Sequence, residues 1–199
     1  MKAMKLWMAT IALVLSGMVA ITSCNSQKAD TDDASAMDTI APILEQDTTY
    51  EQAINRYLVD SIANNYSPGQ VSIPSVVIIG VDESNAEDIL AWGDYWVFNY
   101  NVSGDTLKTQ SGGNHPGLMH LKKVGNEFEV TRFERVVDGA GNEASAKKIF
   151  GDRYEKFHAV NSDSDAKEEA RKEDIATYVK ESGLKVTMYQ DFGWAPIKL

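Results

Sequence analysis

The chain has 199 residues, a formal net charge of −10, one cysteine and an apolar fraction of 43%. That length suits one domain with a sizeable core. The acidic balance argues against nucleic acid and against polybasic attraction to anionic lipid, and a lone thiol leaves nothing for an internal disulfide.

Lys2 and Lys5 open the chain, and residues 6–19 form an apolar run interrupted only by Thr10, Ser16 and Gly17. The run is too short, and too soon followed by small polar residues, for a comfortable membrane span. Cys24 follows Ile21-Thr22-Ser23. This order resembles the lipobox cut by bacterial lipoprotein signal peptidase, which implies a leader over 1–23 and a diacylglyceryl thioether on Cys24. Each buried methylene contributes about 0.8 kcal/mol, so two or more chains anchor stably where one does not. Cleavage removes Lys2 and Lys5 and takes the charge from −10 to −12. Residues 24–46 are small and polar and cannot bury enough surface to offset their ordering entropy, so they read as a lipidated tether. Asp30, Asp32 and Asp33 within it resemble a surface-export signal of some Gram-negative groups, although a solvated acidic stretch explains them as well.

A single globular domain is expected over 47–199. Thr48-x-x-Glu51 fits a helical capping box, and Tyr50, Ala53, Ile54, Tyr57, Leu58 and Ile62 recur at helical spacing until Ser67-Pro68-Gly69. Strands are predicted over 76–81 and 90–102; the second places Trp92, Trp96, Phe98, Tyr100 and Val102 on one face, with Tyr95 and Val97 on the other. Residues 107–124 form a third strand whose middle, Ser111-Gly-Gly-Asn-His-Pro-Gly117, is expected to leave the regular ladder. Gly125-Asn126 turns the chain into a partner strand over 128–137. Helices are predicted over 144–160, with Gly151 a break, and over 166–181, stopped by Gly183. Residues 184–190 alternate again, with Leu184, Val186 and Met188 inward. The expected class is α+β, in the order α-β-β-β-β-α-α-β: a mostly antiparallel curved sheet packed on one face by helices.

Ser111-Gly-Gly-x-x-Pro116-Gly-Leu-Met-His-Leu-Lys-Lys123, Gly125, Val130, Glu134, Asp138-Gly139 and Ser145-Ala-Lys-Lys-Ile149-Phe150 carry a resemblance. Together they look like an uncharacterised bacterial extracytoplasmic lipoprotein domain, similar to segments beside receptors of the β-lactam-sensor type. The resemblance implies a location and a shape, and no catalytic residues. A cystatin-like cone of helix against curved sheet is a looser analogy.

Candidate chemistry is sparse. His115 and His120 lie five apart, an odd offset that puts them on opposite faces of a regular strand; with Asp94 or Asp191, and a bulge at Pro116, they would suit zinc. A turn histidine and a strand histidine, each hydrogen-bonded to its neighbours, is the reading the pattern favours over zinc. Ser111-Gly-Gly-Asn114 offers backbone N–H groups to an anion but lacks the rest of a phosphate loop. Ser145 and Lys148 share a helical face without the companion motifs of a serine–lysine hydrolase. Asn161-x-Asp163-x-Asp165 begins like a calcium loop but has Ala166 and Lys172 at the two decisive places, and helix capping by Ser164 or Asp165 accounts for it. Tyr189-Gln-Asp-Phe-Gly-Trp194 offers an aromatic segment with Asp191, of the kind that grips sugars or peptides.

The sequence thus predicts a non-enzymatic binding domain, without cofactor or metal, held by lipid to the outer membrane on its periplasmic or outer side. Its expected contacts are Trp194, Asp191, Tyr189, His115 and Asn114, and its partner a small ligand, glycan, peptide or envelope protein. Two alternatives remain: an envelope hydrolase or metal enzyme using His115 or His120 with a carboxylate, and a protein-interaction module working through a sheet edge or the helix over 166–181.

Overall fold

The computed structural model describes residues 49–199; the predicted leader, Cys24, the tether and Thr48 lie outside them. Helix α1 (Tyr50–Tyr57) is capped one residue later than the sequence suggested: Thr49 Oγ1 accepts from Gln52 N at 3.2 Å, and Gln52 Oε1 accepts from Thr49 N at 3.0 Å. A wider π turn over Leu58–Ile62 follows, then a tight 3₁₀ turn over Ala63–Asn65. Ile54, Leu58 and Ile62 recur every four residues, a period that drifts around an ordinary helix. The wider turn corrects the drift and keeps all three buried.

Strand β1 (Val71–Asp82) pairs antiparallel with β2 (Ile89–Ser103) along its length. The other edge of β2 is shared: β3 (Thr106–Asn114) pairs with Trp96–Ser103, and β4 (Gly117–Val124) with Ile89–Gly93. The predicted third strand is therefore nearly continuous. Ser111-Gly-Gly-Asn114 stays in the ladder, and only His115-Pro116 interrupts it, because proline has no N–H to give. The irregularity falls earlier, between Asn99 and Tyr100, where Gln110 has no partner. This bulge turns Thr109 and Ser111 to opposite faces despite their even spacing. Gly112 has φ +140°, and a Cβ there would meet Val97 O at 2.3 Å.

Strand β5 (Glu127–Arg135) pairs with β4. After α2 (Asn142–Phe150), α3 (Tyr154–Ser162) and α4 (Ser164–Ser182), the short β6 (Met188–Gln190) runs parallel to β3 at Thr106–Lys108, and β7 (Ile197–Lys198) pairs with β6. The sheet is thus mixed, with seven strands among the described residues, and the α+β class stands. Between Thr109 and Asn114 no strand among the described residues pairs with the outer edge of β3.

The helices differ from expectation by lying on both faces. Ala91, Tyr95, Val97, Met119 and Leu121 meet Ala53, Ile54, Leu58 and Ile62 on one side. On the other side Trp92 and Leu118 meet Phe150 and Phe157, while Tyr100 and Leu107 meet Ile175 of α4, Val186 and Tyr189. Both rows of alternating side chains in β2 are apolar enough to need cover, and a strand's two faces cannot share one.

Candidate functional site

Three residues build a cleft where the ladder breaks. His115 N donates to Tyr95 O at 2.6 Å, which holds the backbone in line although Pro116 cannot continue the pairing. Tyr66 follows the last turn after α1, and its Oη lies 3.0 Å from His115 Nε2. Gly113 makes room, since a Cβ there would stand 2.7 Å from Tyr66 Oη. Arg135 ends β5, and Val136 N donates to Pro116 O at 2.9 Å, which sets the far wall. Tyr66, Asn114, His115, Arg135, Val136, Val137 and Asp138 enclose about 520 Å³.

Burial, aided by the Arg135 cation and opposed by Asp138, lowers the His115 pKa, so the imidazole is neutral near pH 7. Burial raises the Tyr66 pKa, with Arg135 opposing and Asp138 assisting, so its phenol keeps its proton. In the tautomer protonated at Nδ1, His115 Nε2 accepts from Tyr66. Among the described residues Arg135 has no carboxylate within 4.0 Å. The cleft therefore combines a guanidinium with no ion pair among the described residues, a neutral imidazole, a phenol and, on the same wall, the Asp138 carboxyl. Among the described residues its lining includes no serine, threonine or cysteine.

The other predicted residues lie elsewhere. Asn114 borders the cleft, but its side-chain amide donates to Asp94 Oδ1. His120 is buried on the face opposite His115, under more exposed polar neighbours: Nδ1 is 2.7 Å from Asp88 Oδ1, and Nε2 is 2.8 Å from Arg132 Nη2 and 3.2 Å from Glu134 Oε1. The two imidazoles share no site, and among the described residues no group of three or more metal-ligating side chains is placed to hold an ion.

The aromatic platform expected from Tyr189, Asp191 and Trp194 does not assemble. Thr187 N and Met188 N both donate to Asp105 O, at 2.8 and 3.1 Å. The alternation slips there, so that Val186 and Tyr189 face the core in place of Val186 and Met188. Tyr189 is fully buried and donates to Glu168 Oε1. Asp191 grips Arg171 of α4 with both oxygens, at 2.7 and 2.8 Å, and also accepts from Thr109 Oγ1. The Arg171 guanidinium, in a residue only 6% exposed, also donates to Tyr100 Oη at 3.0 and 3.1 Å and stacks 4.1 Å from the Phe98 ring centre. This is a structural clamp between α4, β3 and β6. Of the predicted platform only Trp194, 76% exposed, faces solvent, with Phe192, 70% exposed, near it in sequence.

Ser145 accepts from Val137 N at 3.0 Å and donates to Asn142 O at 2.9 Å, so its hydroxyl ties α2 to the preceding loop. Asp163 Oδ1 caps α4 by accepting from Ala166 N at 3.0 Å, in place of the predicted Ser164 or Asp165.

Tyr66, Arg135 and Arg171 were not singled out from sequence. Tyr66 lies in the stretch that ends the first predicted helix, and Arg171 in the charged helix predicted over 166–181. The one available signal was Asp94 inside Trp92-Gly-Asp-Tyr-Trp96, an acid in an otherwise aromatic strand. No known protein family, curated protein or solved structure matches this chain.

Proposed function

We propose that the chain is an envelope lipoprotein, held to the outer membrane by lipid on Cys24, whose domain binds a ligand without transforming it. The ligand suited to the His115–Tyr66–Arg135 cleft is a small polar molecule or chain end carrying a negative group. A carboxylate or phosphate there would meet the Arg135 cation, which among the described residues has no carboxylate within 4.0 Å, beside two neutral hydrogen-bonding rings, with Asp138 on the cleft wall opposing it. The location rests on Cys24 after Ile21-Thr22-Ser23, at the end of an apolar run. Among the described residues no helix is long and apolar enough to cross a membrane.

Two measurements test the reading. Mass spectrometry of the protein from its own envelope should find residues 1–23 removed and a diacylglyceryl group on Cys24; an intact leader or a bare thiol overturns the anchor. Titration with a uronic-acid disaccharide and with a short peptide bearing a free C-terminal carboxylate should move the His115 ring resonances. Arg135→Gln should weaken that binding about tenfold, the loss of one charge-assisted contact of roughly 1.4 kcal/mol. Unmoved resonances with both probes overturn the cleft. The exposure of Phe192 and Trp194 favours a second reading, in which this segment grips a partner protein. Trp194→Ala would then abolish co-purification of an envelope protein while leaving the cleft titration unchanged.

A further inference from the structure

Arg135 and Asp138 line one cleft from one short stretch of chain. The backbone between them is pinned: Val136 N donates to Pro116 O at 2.9 Å, and Val137 N donates to Ser145 Oγ at 3.0 Å. Three residues span at most about 10 Å, so both charges stand within reach of one small molecule. Yet they do not neutralise each other. Among the described residues neither side chain has an ion-pair partner within 4.0 Å. Asp138 also sits at the cap position of the 3₁₀ turn over Gly139–Gly141, with extended backbone at φ −79° and ψ 160°, and its side chain caps nothing. Aspartate is among the best capping residues, so this carboxylate is left unengaged where the backbone would ordinarily take it.

Burial is the larger influence on the Tyr66 and His115 rings, and after it come these two charges, acting with opposite sign on each ring. Both rings therefore lie in the field of both charges. With His115 neutral, the lining carries one positive and one negative group and no net charge. A bare anion there gains from Arg135 and loses from Asp138, and a bare cation does the reverse. A molecule that holds both charges gains from each.

We propose that the ligand of this cleft is a zwitterion, a free amino acid or a dipeptide, whose carboxylate meets Arg135, whose ammonium meets Asp138 and whose middle lies against Tyr66 and His115. The assignment rests on the cleft being a ligand site at all, as proposed above, and narrows its negative group to one carried beside a positive one. A guanidinium takes a carboxylate through two parallel hydrogen bonds, and an ammonium offers three donors to a carboxylate. Tyr66 Oη, which donates to His115, keeps lone pairs for a ligand N–H. The volume of about 520 Å³ falls in the ordinary range for small-molecule sites.

The probes are alanine and alanyl-alanine, which carry both charges, and N-acetyl-alanyl-alanine and alanyl-alanine amide, which keep one each. The protein is the full chain in lipid nanodiscs with ¹⁵N-labelled histidine, so that His120 and His158 serve as internal controls. At least one zwitterion should shift the His115 ring resonances in a saturable way and leave those of His120 in place. It should bind at least about tenfold more tightly than either singly charged form. Asp138→Asn keeps the size of the side chain and removes its charge. It should weaken the zwitterion, tighten N-acetyl-alanyl-alanine and leave the melting temperature unchanged, whereas Arg135→Gln should weaken both. N-acetyl-alanyl-alanine binding as tightly as alanyl-alanine, or a ratio of the two that Asp138→Asn does not change, overturns the zwitterion and leaves an anion site. No shift with any of the probes overturns the cleft and the zwitterion together.

Discussion

Arg171 would be an expensive residue without Asp191. A buried guanidinium stripped of its carboxylate keeps its desolvation cost and loses its compensation. Asp191→Asn should destabilise the protein by about 2–3 kcal/mol in urea denaturation, somewhat below the fully buried case because the Asp191 side chain is 31% exposed. Arg171→Lys should also destabilise, since an ammonium cannot span both oxygens and Tyr100 together. Burial pushes the Asp191 carboxyl up, but the Arg171 and Thr109 hydrogen bonds outweigh it and hold the pKa below the usual carboxylate range. The stability it contributes is present above the unfolded pKa of about 3.9 and is lost as pH falls through the folded value. His115 works from the other side of neutrality. Its folded pKa is lowered, so its contribution is complete above the unfolded pKa of about 6.5 and declines as pH falls from there toward the folded value. His115→Gln should flatten the fall in stability between about pH 7 and the lower end of that window, as read by denaturation midpoints at each pH.

At the scale of elements, β3 shows what could and could not be read beforehand. The residues Ser111-Gly-Gly-Asn114 predict an interruption, because glycine is poor in strands. Yet Gly112 and Gly113 are there for close approach: one lies against the backbone of β2 at Val97 and Phe98, the other under Tyr66. A sequence shows that side chains are missing but not what takes their place. Gly112→Ala must fit a Cβ against Val97 O in a conformation that alanine avoids, and should cost at least about 2 kcal/mol by thermal or urea denaturation. The helices were more legible. Residues 144–160 do break at Gly151, and α4 does end at Gly183, which is left-handed at φ +70°. The one-residue slips at Gln110 and Thr187 left no composition signal, and they decide which side chains face inward. That is why Tyr189, which the alternation counted from Leu184 turns outward, is in the core.

For the molecule as a whole, β2 joins everything. Strands pair on both its edges and helices cover both its faces, so its middle should be the last part to open. Amide protons of Tyr95 and Val97 should exchange with the slowest rates in the chain, close to the rate of global unfolding; fast exchange there would mean the two faces open separately. The α+β class was legible because long alternating runs and capped helical stripes are strong signals. Helices on both faces were not, because Leu90–Val102 is apolar on both sides, and apolarity does not say what covers each side. The His115 cleft was half legible: His115 and Asn114 stand out beside glycines, whereas Tyr66 and Arg135 reach it from 49 residues before and 20 after His115, distances that only the fold closes. At this scale too, the proposed lipid anchor predicts that Cys24→Ser moves the protein from the membrane pellet to the soluble fraction of the cell, and an unchanged distribution counts against that anchor.

The margin of β3 from Thr109 to Asn114, where no strand among the described residues pairs, carries a last consequence. A straight, regular margin invites a second molecule to add its own strand and so to grow a fibre. Here the bulge at Gln110, the twisted backbone of Gly112 and the stop at Pro116 fall within seven residues, and each spoils the template that such growth would copy. These irregularities act as a brake on polymerisation written into the strand itself.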